Sequence, residues 1–346
     1  MVVTIEGKIF VQVLSEILKS SGKTLLNFAI DPVHELIDLQ VFDIYTSETG
    51  IPCKVVNAAD SVTDYSVNFS NVLKVLEEDS PVELDFSDTA LTVRQKSFEG
   101  IFLREYEARQ SYPDIRELTP IAFNVKKLQY LITSTLSIGS VLKELKVTEN
   151  DPMFSNTKFY SIYSSICLMD VLDFPELCLP FSCLKDVVYK LTEDSVMYFI
   201  PEKNIVMFKT KKYRYWVSTS QYNMDAESIK AIEKKYSECK EIATISLAKE
   251  TDRLKTVSAA FPVQRAILSI HENGYSVSIN TGSMNITIGP GKGLPLCSIN
   301  TTTGTLATIS KIFKDVGEIT VMKGVNCLCL QQKNSTKNLL VFGMVW

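Results

Sequence analysis

The sequence predicts an α+β fold made of six similar strand–helix–strand units, and three observations predict it. First, one opening pattern recurs: VVTIEGKIFVQVLSEIL, YSVNFSNVLKVLEE, IAFNVKKLQYLITSTL, LCLPFSCLKDVVYKL, ATISLAKETDRLKTV and LCSINTTTGTLATISKIF, near residues 2, 65, 121, 177, 242 and 296. Second, the spacing is roughly 55 to 65 residues, and self-similarity at a fixed period of this kind marks a repeated architecture. Third, polar or charged stretches punctuate the chain after every second unit.

Each unit reads as a short strand, a polar cap residue, an amphipathic helix and two or three alternating strands. In the second unit Tyr65 to Phe69 alternates as a strand, and Ser70 or Asn71 caps a helix by accepting from its free N–H groups. Val72, Leu73 and Leu76 recur at helical spacing, and Asp79-Ser80-Pro81 stops the helix, since proline cannot continue it. VELDF and LTVRQ follow around a turn at Ser87-Asp88-Thr89. The third helix, within NVKKLQYLITSTLS, carries no acid. The fourth unit has a hairpin, VMYFI and IVMFK, around Pro201-Glu202-Lys203-Asn204. In the fifth, AILSI and YSVSI flank His271-Glu272-Asn273-Gly274, where Asn-Gly predicts a type I′ turn with two positive φ angles.

The joints are EARQSYPDIRELTP, with Pro113 and Pro120, and the charged stretch MDAESIKAIEKKYSECKE near residues 224 to 241. They set the expected domains at 1–118, 119–238 and 239–346. One amphipathic helix cannot bury its apolar stripe alone, whereas two against curved sheets can, which explains the pairing of units.

Composition agrees with a globular chain. Of 346 residues 45% are apolar and 22% charged, and the net charge of −4 argues against a generally basic nucleic-acid coat while leaving local basic surfaces open. The N-terminal MVVTIEGKIFV has no basic segment ahead of its apolar residues, and no apolar run approaches the roughly 18 residues of a membrane helix. The eight cysteines, Cys53, Cys167, Cys178, Cys183, Cys239, Cys297, Cys327 and Cys329, form no CxxC pair and read as small buried hydrophobes in a reducing cytosol.

With six such units in three domains, the chain resembles the bacterial-type DNA polymerase sliding clamp, the β clamp, over essentially its whole length. YPDI at 112–115 matches the segment closing that family's first domain, and RAILSIHENGYSVSI at 265–279 is similar to its third-domain strand pair. The C-terminal LLVFGMVW occupies the place of the family's apolar tail, with Gly343 where a proline is usual and Trp346 terminal. DPMFSNTKFYS at 151–161 departs from the family's pocket segment, and together these departures point to a divergent or phage member.

The resemblance implies a DNA-clamp fold in which each chain is half of a ring, helices inside and sheets outside, closed by a head-to-tail homodimer. It implies sequence-independent contact with duplex DNA by Lys19, Lys23, Lys74, Lys126, Lys127, Lys185, Lys190, Lys249, Arg253, Lys255, Lys311 and Lys314. Lysine suits such contact as a mobile point charge on phosphate. A partner-peptide pocket is implied at Tyr222, Met224, Ile229, Val341, Phe342, Met344, Val345 and Trp346, and a subunit interface at Leu73, Leu76, Leu103, Ile267 and Leu268. The implied partners are DNA polymerase, an ATP-dependent clamp loader and a second copy, in the cytoplasm, with no cofactor or metal.

Other chemistry finds little support. KTKKYRYW at 209–216 looks like a nucleic-acid patch with interleaved aromatics, but its place in the repeat favours an exposed strand of the outer sheet whose lysines guard an edge or face water. His34 and His271 are far apart with no matching ligand spacing, and GPGKG at 289–293 is a turn, not a full phosphate loop. There is no GxSxG, HExxH or GxGxxG. A monomeric DNA-binding processivity factor of the same fold, and an enzyme or structural repeat protein that only resembles a clamp, remain as alternatives.

Overall fold

The repeat is visible in the order of the elements. The computed structural model describes residues 1–21, 24–41, 45–56, 65–69, 71–106, 118–144, 151–163, 166–219, 226–246, 256, 259–261, 264–280, 285–313 and 316–343. The first repeat comprises β1 (Val2–Ile5), α1 (Gly7–Ser21), β2 (Leu25–Asp31), β3 (Leu36–Val41), β4 (Tyr45–Pro52) and β5 (Lys54–Val56). The second has β6 (Tyr65–Asn68), β7 (Val82–Phe86), β8 (Ala90–Gln95) and β9 (Phe98–Glu105). The third has β10 (Ile121–Ala122), α2 (Val125–Glu144), β11 (Met153–Ser155), β12 (Lys158–Ile162) and β13 (Ile166–Val171). The fourth has β14 (Leu177–Cys178), α3 (Phe181–Val188), β15 (Val196–Ile200), β16 (Ile205–Lys209) and β17 (Arg214–Ser218).

A helix the sequence reading treated only as a joint, α4 (Ala226–Ser237), comes next. It forms because Ile229, Ile232 and Tyr236 share one face, with Glu227 in its first turn and Lys234 and Lys235 in its last to complement the dipole. The fifth repeat gives β18 (Lys240–Ile245), β19 (Arg265–His271), β20 (Gly274–Asn280) and β21 (Asn285–Ile288); most of its expected helix lies outside the described residues. The sixth gives β22 (Cys297–Thr302), α5 (Thr303–Ile312), β23 (Ile319–Gly324), β24 (Cys327–Gln332) and β25 (Asn338–Phe342).

Two compact units result, residues 1–123 with 189–219 and residues 124–188 with 220–346. The first holds one antiparallel sheet in the order β10-β15-β16-β17-β4-β3-β2-β6-β9-β8-β7-β1-β5. Strand β17 of the fourth repeat pairs with β4 of the first, Arg214 opposite Glu48 and Val217 opposite Tyr45. The second unit holds β14-β11-β12-β13-β25-β24-β23-β18 and β21-β20-β19-β22. There β13 of the third repeat pairs with β25 of the sixth, Ile166 opposite Val341.

The helices bury periodic stripes. In α1 these are Phe10, Val13, Leu14 and Ile17, and in α2 Val125, Leu128, Leu131, Ile132, Thr135 and Ile138. Helix α5, expected to be amphipathic, is instead buried along nearly its whole surface, and Lys311 is its one exposed residue. Thr302 caps it, its side chain accepting from the Thr305 N–H at 3.2 Å.

The second repeat departs from expectation. In place of an α-helix it has a single 3-10 turn, Val72–Lys74. Asn71 takes a left-handed φ of 64° and makes no side-chain cap. Beyond the turn, Gln95 captures the backbone that would continue the helix. Its amide donates to the Glu77 and Ser80 carbonyls (2.6 and 2.7 Å) and accepts from the Glu77 N–H at 2.7 Å. The acids Glu77, Glu78 and Asp79 would also oppose the dipole at a helix C-terminus. The fifth-repeat turn differs as well. His271 pairs with Gly274 across a loop of Glu272 and Asn273, and the positive φ, 148°, falls on Gly274.

In the second unit, a buried polar cluster joins α2, α5, β13 and β25. Asp170, 3% exposed, pairs with Lys127 Nζ at 3.0 Å and accepts from the Val171 N–H at 2.7 Å and from Thr336 Oγ1. Lys337, 1% exposed, donates to the Ile312 carbonyl at 3.1 Å and to the Tyr130 hydroxyl. Its ammonium lies 4.8 Å from the Tyr130 ring centroid and 5.1 Å from that of Phe313. Burial lowers its pKa from 10.5 to about 8, with Asp170 opposing the shift.

Two predictions follow from this packing. Below pH about 8 Lys337 is charged in folded and unfolded chains alike, and the burial cost is fully present. Between about 8 and 10.5 the folded chain holds the neutral amine while the unfolded chain still binds the proton, so this residue's contribution to stability rises with pH. Urea denaturation of wild type and Lys337→Met across that window is expected to show their difference moving in favour of wild type by up to about 3 kcal/mol. A flat difference would contradict the assignment. Gly7 is the second case: a Cβ there would lie 2.0 Å from the Ser80 carbonyl oxygen and 2.9 Å from that of Glu77. Gly7→Ala is therefore expected to destabilise by about 1–3 kcal/mol, although helix propensity alone favours alanine.

Candidate partner-binding cleft and helix lysines

Helix α4 lies on the β12–β13–β25 part of the eight-stranded sheet. Ile229 and Ile232 enter an apolar cluster with Met153, Tyr160, Met169 and Leu340, and Tyr236 packs beside it. Glu233 adds polar anchorage, because both its carboxylate oxygens accept from Lys158 Nζ at 2.9 Å and one accepts from the Tyr160 hydroxyl. Burial and the neighbouring Glu233 carboxylate both push the Tyr160 hydroxyl pKa up, so it stays a donor.

Between this helix and the strand ends is a cleft of about 520 Å³ lined by Ile162, Tyr163, Ser228, Ala231, Ile232, Lys235 and Phe342. Its floor is apolar, and the Lys235 ammonium lies 4.9 Å from the Phe342 ring centroid. Phe342 was expected in a pocket and lines this one. Ile229 lies beneath α4 in the adjoining cluster, and Val341 is buried in the sheet. Tyr222, Met224, Met344, Val345 and Trp346 lie outside the described residues. Gly343 follows Phe342 so close to β22 that a Cβ would stand 2.5 Å from the Asn300 carbonyl oxygen. The α4 and β12 lining was missed because the charged text of 224–241 obscured its Ile229, Ile232, Tyr236 spacing.

Helix α2 packs against both α3 and α5, and Gln129 Nε2 donates to the Val188 carbonyl at 3.0 Å. Over 125–138 its outward stripe is Lys126, Tyr130, Thr133 and Ser137. Lys185 is half-buried in the last turn of α3, and Lys311 is exposed on α5. Lys127, on the same helix as Lys126, is engaged with Asp170 and also donates to Thr336 Oγ1 at 3.1 Å. In the first unit Lys19 belongs to the last turn of α1, Lys74 is exposed on the 3-10 turn, and Lys190 lies 5.6 Å from the Tyr215 ring centroid. Lys23, Lys249, Arg253, Lys255 and Lys314 lie outside the described residues.

The interface candidates divide by strand alternation. Leu103 is 75% exposed on β9, as is Ile101 at 68%, which the sequence reading passed over. Leu73 is half-buried and Leu76 buried. On β19, Ile267 faces out and Leu268 faces the core, as the period of two requires. Among the described residues β9 pairs with β8 along Phe98–Leu103 but with β6 only at Arg104 and Glu105, leaving one side of its first part open.

KTKKYRYW spans the end of β16, the turn at 210–213 and the start of β17; β17 lies between β16 and β4, so the segment guards no sheet edge, and Lys209, Lys211 and Lys212 face water. Tyr213, Tyr215 and Trp216 are buried and offer no stacking platform; Lys211 pairs with Asp194 at 3.0 Å and Arg214 with Asp38 at 3.3 Å. His34 pairs with Asp31 at the surface and His271 contacts Ser276; no cluster of metal-ligating side chains exists among the described residues. None of their helices is long and apolar enough to cross a membrane.

No protein-family model matches the chain, and no curated protein matches it in sequence. Solved structures do match in fold. The DNA polymerase sliding clamp from Bacillus subtilis superposes with a TM-score of 0.73 at 14% identity, covering 99% of both chains. The DNA polymerase III subunit beta from Pseudomonas aeruginosa gives 0.75 at 11% identity, over 99% of this chain and 100% of its own. The Helicobacter pylori beta clamp, solved bound to a DNA ligase peptide, gives 0.69 at 11% identity with the same coverage. The chain thus has the bacterial sliding-clamp fold from end to end, with a sequence far diverged from these structures.

Proposed function

We propose that the chain is a DNA sliding clamp, a processivity factor that encircles duplex DNA as a head-to-tail homodimer and tethers a polymerase. The observation that carries the reading is the end-to-end agreement in fold with clamps at TM-scores of 0.69 to 0.75. Each chain would contribute three domains, 1–118, 119–238 and 239–346, and act as an accessory subunit, with no chemistry or cofactor of its own. The exposed Lys126 on a stripe with Tyr130, Thr133 and Ser137 supports the reading, since a ring that slides needs weak, sequence-independent contacts. Lys126, Lys185 and Lys311 are the proposed phosphate contacts among the described residues; Lys127 has a structural role. An ATP-dependent loader is inferred because the chain carries no phosphate-loop motif. The cytoplasm is the proposed site of action.

Ring closure is assigned to the open side of β9, where Ile101 and Leu103 present apolar side chains beside unpaired backbone. The cleft under α4 is assigned to partner peptides. Its apolar floor takes one or two hydrophobic anchors, and Lys235 at the rim favours an acidic neighbour.

Two experiments test these assignments. Loaded on DNA, the protein is expected to remain on closed circles and run off linearised molecules, and Leu103→Asp is expected to shift a dimer to monomer in sedimentation. Equal retention on both DNA forms by a monomer would favour the reading of a processivity factor that binds through one basic face. For the cleft, a fluorescein-labelled peptide carrying Asp-Leu-Phe is expected to bind, and Ala231→Glu to weaken it tenfold or more with stability within about 0.5 kcal/mol of wild type. Unchanged affinity in that variant would place the peptide elsewhere.

A further inference from the structure

Cys239 and Cys327 form a thiol pair beside this cleft. Their sulfurs lie 3.7 Å apart in the structure, in van der Waals contact. A disulfide needs about 2.05 Å, so the bond requires the sulfurs to close by roughly 1.7 Å. The space around them is kept open by Gly324, where a Cβ would stand 2.7 Å from the Cys327 sulfur and 2.8 Å from that of Cys239. Any larger residue at 324 would push one sulfur aside. Cys239 is partly exposed, while Cys327 is fully buried. A small oxidant reaches the pair through Cys239.

The pair is also poised in charge. The hydrogen bond between the two sulfurs, with help from Lys235, holds the Cys327 thiol below its ordinary range, and the same bond and burial push Cys239 above it. A retained Cys239 S–H, donated to Cys327, stabilises a thiolate there.

Position gives the pair its consequence. Cys239 lies two residues beyond α4, and its sulfur lies 3.1 Å from the Lys235 carbonyl oxygen. Cys327 opens β24 directly opposite Phe342 in the ladder. Lys235 and Phe342 are both walls of the cleft. Each cysteine is therefore next to one wall, Cys239 to Lys235 and Cys327 to Phe342.

We propose that Cys239 and Cys327 form a regulatory disulfide that draws the end of α4 toward β24 and narrows the peptide cleft. The step balances with a hydroperoxide as oxidant. A thiolate of the pair attacks one peroxide oxygen, the O–O bond breaks, and the departing hydroxide takes the proton of the second thiol as water. That second thiolate then attacks the sulfenic sulfur, the S–O bond breaks, and the oxygen leaves as hydroxide, which is protonated to a second water. Both sulfurs are oxidised and the peroxide is reduced. The effect on the cleft rests on its reading as a peptide site.

The test treats the purified protein with hydrogen peroxide, alkylates the remaining thiols and maps linked peptides by mass spectrometry, with hydrogen exchange over α4 and anisotropy of the Asp-Leu-Phe peptide alongside. The expected result is a Cys239–Cys327 linked peptide, slower exchange across α4, and peptide affinity reduced fivefold or more. Dithiothreitol should reverse all three, and Cys239→Ser should show none of them. Absence of the linked peptide after oxidation overturns the proposal, as does a disulfide with unchanged α4 exchange and unchanged affinity. If the peptide binds neither reduced nor oxidised protein, the cleft reading fails instead. The disulfide map and the exchange of α4 then decide the thiol pair by themselves: a linked peptide with slower exchange upholds it, and unchanged exchange overturns it.

Discussion

Antiparallel pairing between strands of distant repeats is the constraint on which the rest of this structure depends. Strand β17 adds to β4 across some 170 residues, and β13 adds to β25 across a similar separation. Without these ladders each repeat would present unpaired backbone and an apolar face to water. Closing such long loops is entropically expensive, but the cost grows only slowly with length, and each ladder is backed by buried side chains. At the β13–β25 seam the backing is partly ionic: Asp170 and Lys337 lie within the helix–sheet interface and tie α2 and α5 to it. Removing Lys127 would leave the buried Asp170 carboxylate without its ion-pair partner, a costly change.

The cleft is a consequence of that seam. Once β25 lies beside β13, Phe342 emerges at the strand end next to Ile162, and α4 can cover the remaining apolar surface through Ile229 and Ile232. Glu233, bound by Lys158 and Tyr160, sets the lateral position of α4 and leaves Ala231 and Lys235 at the opening. An apolar hollow with one cation at its rim has the make-up expected of a groove for short peptides, in which a few anchors supply most of the affinity. The thiol pair couples to the same place because α4 ends where β24 begins.

Much of this was legible in residue order. The sixfold opening pattern, the apolar stripes of α1 and α2 and the hairpins around Ser87 and Pro201 follow from periodicity and turn chemistry, which are local. The second repeat shows where local reading fails. Val72, Leu73 and Leu76 have helical spacing, yet the distant Gln95 side chain competes for the backbone of 77–80, and Gly7 lets that segment lie against α1. Helix α4 failed in the opposite sense, since its charges read as a linker although three apolar residues on one face were enough once a sheet lay beneath them. Of the lysines, Lys126 and Lys127 are neighbours in sequence, but only the fold separates a residue on an outward stripe from one held by Asp170.

The sequence by itself determined the repeat, the class of fold and the apolar faces of α1 and α2, because these depend on residues a few positions apart. Tertiary structure alone decided which strand of one repeat extends the sheet of another, which lysine is consumed in a buried pair, where α4 leaves a cleft, and that Cys239 meets Cys327. Each of these is a meeting of residues far apart in the chain, and such meetings are set by the packing of whole sheets and helices, to which local periodicity is blind.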